Sequence, residues 1–214
     1  MTRIMLDTIG DNYQAIIAAR TSGTRFRNMR VTMAAGYVDG PVSQWPAGAF
    51  DAAHRAGLQV VRITVTGQPA ADVADIEPGD LAAAGGASWA QGKHSRGQFG
   101  VLYVNRSSKA AVIEACRKLD LSRGSDYGLW VATLDGTFTD SDGSDLRRQR
   151  GVVGVQYLGA RRAGIPCDVS LISDPDWIPR PAAPAWTHAA ADKTALAIRA
   201  LADVAAALEA HPKG

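Results

Sequence analysis

Eight short apolar runs, at residues 3–9, 31–38, 58–66, 71–77, 98–105, 126–134, 152–157 and 167–172, constrain the fold of this 214-residue chain more than any other feature. Each is rich in Val, Ile, Leu or Tyr and ends at turn residues, the pattern of a strand buried on both faces. Helical segments lie between the early runs. Asp11 is placed to cap a helix through Arg20, and Ser43 or Trp45 starts one that ends at Ala56 before Gly57. A third covers 87–95. In the fourth, 109–119, capped by Ser107, Val112, Ile113 and Cys116 recur at helical spacing. Later the pattern changes: 135–150 is a polar loop and 159–166 a short turn. Helices after five strands and bare connections among the last three predict an α/β fold, an irregular TIM-like (β/α)5β3 barrel spanning 1–178. The segment 179–186 reads as a stiff Pro-rich linker. Beyond it, 187–214 holds an amphipathic helix whose Ala197, Leu201, Val204 and Leu208 form a seam for self-association or for docking to a partner.

The fourth strand ends on Asp75-Ile76-Glu77, followed by Pro78-Gly79. Side chains at i and i+2 of a strand share a face, so the two acids look at one place. Two carboxyls aimed at one spot at the end of a core strand are costly to ionise together. One then keeps its proton near neutral pH while the other stays charged, which is the equipment of a glycoside hydrolase. Barrels of this class build their active sites at the C-terminal ends of the parallel strands, and there the pair falls. The alternative for such a triplet is a strand end with two solvated acids.

Composition excludes several classes. A net charge of +2, with no basic stripe interleaved with aromatics, argues against nucleic acid. No apolar run approaches the roughly 20 residues needed to span a bilayer. Cys116 and Cys167 have no metal-type spacing with each other or with His54, His94, His188 and His211, so neither a metal nor another cofactor is expected. The first residues show no secretory signal, which implies a protein made in the cytoplasm. Abundant Ala, and Arg in excess of Lys, fit a GC-rich bacterial or phage genome.

These features together resemble the family-25 glycoside hydrolases, the muramidase-type lysozymes, and their relatives in actinobacteria and phages. The resemblance covers residues 3–178. It rests on Leu6-Asp7 closing the first strand, Asp75-Ile76-Glu77 the fourth, Leu102-Tyr103 in the fifth and Leu129-Trp130-Val131-Ala132 in the sixth. Val155-Gln156-Tyr157 in the seventh and Asp168-Val169-Ser170 in the eighth complete it. It implies Glu77 as general acid, Asp75 as the partner that stabilises positive charge at the anomeric carbon or orients the substrate's acetamido group, and Asp7 and Asp168 completing an acidic floor. Tyr37, Tyr103, Trp130, Gln156 and Tyr157 would form a sugar-binding wall, and peptidoglycan or a related polysaccharide would be the partner, met at the cell wall if the chain is phage-derived. The first strand continues Thr8-Ile9-Gly10 where the lysozymes usually run on through Ser toward Trp-Gln, and Val155 stands where they tend to have Trp. A non-catalytic glycan-binding or structural module, such as a virion component, is therefore the second reading. A barrel holding phosphate on 159–164 is a weaker third, since four carboxylates would repel an anion.

Overall fold

The computed structural model describes residues 2–40, 43–173 and 177. The linker and the tail helix read from the sequence lie outside the described residues. The strands are β1 (Arg3–Thr8), β2 (Arg25–Phe26), β3 (Met29–Tyr37), β4 (Gln59–Thr64), β5 (Val73–Ile76), β6 (Gly100–Asn105), β7 (Tyr127–Ala132), β8 (Val152–Leu158) and β9 (Asp168–Ile172). Eight of them form one closed sheet. β1 and β3 through β8 pair in parallel, with β1 hydrogen-bonded to β3. β9 closes the ring by running antiparallel to both β8 and β1. Strand alternation divides the apolar residues between two cores. Met5, Met33, Ile63, Val101, Trp130 and Ile172 fill the barrel interior. Ile4, Leu6, Ala34, Leu102, Val131 and Val155 face the outer layer.

The helices are α1 (Tyr13–Thr21), α2 (Ala49–Arg55), α3 (Ala83–His94), α4 (Arg106–Arg117) and the single turn α5 (Ala160–Ala163). The closed α/β barrel is the one expected, with three local differences. The connection from β4 to β5 has no helix: residues 65–72 are too few and include Gly67 and Pro69. That loop is tied down instead by Asp39, whose carboxylate accepts from Thr64 Oγ1 at 2.6 Å and the Val65 amide at 2.8 Å. The cap of α4 is Asn105, accepting from the Ser108 amide at 2.8 Å, rather than Ser107. The polar 135–150 loop is pinned to α4, with Arg106 donating to Asp135 at 2.7 Å and Lys109 paired to Asp140. It also buries Phe138 and Leu146 against the barrel.

The chain covers its helix-poor side with a hairpin. β2 and β3 are joined through Arg27 and Asn28, both left-handed at φ 50° and 63°, as a two-residue primed turn requires. Phe26 and Met29 pack on the outer core, and the Arg27 guanidinium stacks 4.4 Å from the Phe138 ring. Both cysteines are buried and unpaired. Among the described residues no helix is long and apolar enough to cross a membrane.

One close packing locks the strand ends behind the barrel mouth. Trp45 lies flat over Gly36, its Nε1 donates to the Thr8 carbonyl at 2.8 Å, and it stacks against Phe50 at 4.9 Å. A Cβ at Gly36 would sit 2.1 Å from the indole. Gly36→Ala is therefore expected to lower unfolding free energy by about 3 kcal/mol, the upper end for overpacking a core. Urea denaturation checks this, and an unchanged midpoint would show that the indole moves aside freely.

Candidate active site

Seven strands bring their C-terminal ends to one mouth, and the antiparallel β9 brings its N-terminal end to the same place. That reversal is why Asp168, the first residue of its strand, can meet Asp7, near the end of β1. The two are direct register partners, so their side chains point to the same face. Asp75 comes from the end of β5 and Glu77 from just beyond it. All four acids named from the sequence thus lie at one mouth. Among the described residues none of them forms an ion pair.

Their environments differ. Asp7 is buried, its Oδ1 has no protein partner, and its proton affinity is pushed well above the aspartate range. Burial is the largest cause, followed by repulsion from Asp168, Asp75 and Glu77. Asp75 is 1% exposed and accepts a hydrogen bond from the Tyr37 hydroxyl at 2.9 Å. Burial pushes it up to about 7; the Tyr37 bond opposes that, while Glu77 and Asp80 add to it. Glu77 is only half-buried. Its affinity is raised first by burial, then by Asp80 and Asp168, against a hydrogen bond from Asn105. Asp168 is best supplied with donors. Its Oδ1 accepts from the Ala160 amide at 2.6 Å and its Oδ2 from Gln156 Nε2 at 2.7 Å. Burial still raises its proton affinity, and the Ala160 amide opposes the rise.

A cleft of about 320 Å³ opens beside this group, lined by Asp7, Thr8, Ile9, Asn12, Tyr37 and Asp168 among others. Asp75 and Glu77 do not line it. Asp75 connects to it through Tyr37, which belongs to both. Among the described residues no three His, Cys, Asp or Glu side chains are gathered closely enough to hold one metal ion.

The expected wall is only partly assembled here. Tyr37 lines the cleft and Gln156 reaches Asp168. Tyr103 is nearly closed off, and its phenol is raised first by that burial and then by the charges of Asp7, Glu77 and Asp75. Trp130 is a correction: it is fully buried beneath the mouth, edge-on to Tyr103 at 4.9 Å and donating from Nε1 to Ser170 at 3.0 Å. Gly154 makes its room, since a Cβ there would stand 3.3 Å from the indole. Tyr157 is the second correction. It faces the outer layer, packed on Phe138 at 4.9 Å, because neighbours in a strand point to opposite faces and Gln156 takes the inner one. Asn105, which touches Glu77, went unread from the sequence, although it stands two residues after Tyr103 on the same face. That spacing is the one that singled out Glu77 after Asp75.

Fold and mouth together define a closed α/β barrel with an acidic site at the C-terminal ends of its parallel strands. No protein-family model matches the sequence, and no curated protein matches it. Among solved structures it is similar to one described as a family GH25 lysozyme from Aspergillus fumigatus. That match has 11% identity over 80% of this chain and 94% of the other, with a TM-score of 0.48.

Proposed function

We propose that this chain is a glycoside hydrolase of the muramidase type, cleaving the glycan of cell-wall peptidoglycan with Glu77 as general acid. The observation that supports this most is the grouping of four carboxyls that form no ion pair among the described residues, every one of them raised above its ordinary proton affinity. Such a site holds protons at neutral pH and also offers negative charge to a developing cation. Glu77 suits the acid role because it combines a raised affinity with access from outside. Its proton passes to the glycosidic oxygen as the bond to the anomeric carbon breaks. Asp168, held by two N–H donors, is the carboxyl best kept ionised, and with Asp75 it faces the positive charge that forms at the ring. Water adds to the anomeric carbon and gives its proton to a carboxylate, which restores the site.

Clearing of a suspension of purified bacterial sacculi tests this reading. Clearing is expected, and its alkaline limb should lie above the pH at which an ordinary glutamate titrates, because the acid must be protonated to act. Sacculi that stay turbid at every pH with folded protein would refute it.

A further inference from the structure

The barrel has a second opening, at the end opposite the acids. The N-terminal ends of β6, β7 and β8 surround a cavity of about 390 Å³, walled by Phe99, Val152 and Trp177 and edged by Arg150. Phe99 and Trp177 also pack on the interior core, so their rings close the barrel from below.

Two loops are stripped of side chains where they meet at this cavity. Gly124, before β7, and Gly151, before β8, are both left-handed, at φ 89° and 72°. A Cβ on Gly151 would stand 2.6 Å from the Gly124 nitrogen. The neighbouring arginines lie crosswise over this pair. Arg150 holds its Cγ 3.3 Å from where a Gly124 Cβ would be, and Arg123 holds its Cγ 2.6 Å from where a Gly151 Cβ would be. Among the described residues neither arginine forms an ion pair, and no acid lines the cavity. Asp126, on the Gly124 loop, is engaged elsewhere: it accepts from the Ser122 amide at 2.7 Å and stands 3.6 Å from His94 Nδ1. The Trp177 indole N–H is enclosed without an acceptor, which a buried donor rarely tolerates. The side chains of the cavity thus supply flat apolar walls, positive charge and donors, with nothing to accept.

We propose that this lower cavity is a second binding site, for a small aromatic carboxylate. The ring packs on Phe99, Val152 and Trp177. The carboxylate takes the Arg150 guanidinium, whose planar fork matches it with two N–H donors, and gives the Trp177 indole its missing acceptor. The acidic mouth repels the same ligand, so charge sorts it to the lower end. The site is independent of the hydrolase reading.

Ligand-observed NMR titration of the full chain with 2-naphthoate, and with the neutral 2-naphthamide, tests this. Naphthoate should bind with a Kd of about 1 mM or tighter, as a ligand of its size can. The amide should bind at least about tenfold more weakly, because hydrogen bonds to a charged group are the stronger ones. Arg150→Gln should weaken naphthoate about tenfold and leave the amide unchanged. Arg150 is exposed, so this variant folds, and its clearing of sacculi should match the parent's. Trp177→Phe keeps a ring in the wall and removes the donor; it should weaken naphthoate about fivefold. Glu77→Gln, at the other end of the barrel, should bind naphthoate as the parent does. Equal binding of acid and amide, naphthoate binding that survives Arg150→Gln, or no binding up to about 10 mM would each overturn the proposal and leave the hydrolase reading untouched.

Discussion

Glu77→Gln should fold as the parent does and lose at least about a thousandfold in kcat on peptidoglycan glycan, within the range that a positioned acid contributes. Glutamine keeps the size of the side chain and a partner for Asn105, but has no proton to deliver to the leaving oxygen. Glu77 is half-buried, so the isosteric change leaves the fold intact. The split between parameters is part of the prediction. KM should change little, since the lost interaction belongs to the transition state. A variant with kcat within tenfold of the parent would take the acid role from Glu77, and Asp75 would be the next carboxyl to examine.

Asp75→Asn should make the protein more stable while it damages the site. Asp75 is buried with its affinity pushed up to about 7, against about 3.9 in an unfolded chain. The folded form therefore binds more protons than the unfolded form between those two values. Stability falls as pH rises through that window and levels off above it. Asparagine can still accept the Tyr37 hydroxyl but is never ionised. At pH 8 the variant is expected to gain on the order of 3 kcal/mol over the parent, or roughly 6–12 °C in melting temperature for a chain of this size. Below about pH 4 the gain should vanish, because the parent's carboxyl is then protonated in both states. Asp7→Asn should act in the same direction, since burial and its three acidic neighbours raise Asp7 as well. Melting curves across pH check both variants. A parent whose stability rises from pH 4 to pH 7 by this amount would contradict the burial of Asp75.

Much of this was legible in the sequence, for physical reasons. Buried strands must be apolar and must end at turns, so all eight barrel strands could be placed to within a few residues. The i, i+2 rule was enough to aim Asp75 and Glu77 at one spot. The misses have equally definite causes. Turn residues Arg27 and Asn28 are not a standard hairpin signal, so the β2–β3 arm over the helix-poor side went unseen. The reversal of β9 could not be read from its composition, although Asp168 reaches Asp7 only because of it. Tyr157 was a failure to apply alternation, since Gln156 beside it already faced the mouth. The burial of Trp130 was harder to foresee, because it depends on space opened by Gly154 on a neighbouring strand.

The measurement that bears most directly on the central claim is mass spectrometry of peptidoglycan glycan strands incubated with the purified chain and, in parallel, with Glu77→Gln. The parent should generate new reducing ends, with fragment masses that name the bond broken, and the variant should generate none. Intact strands after incubation with folded parent protein that still binds them would contradict it, and would leave the mouth as a site that holds glycan without cutting it.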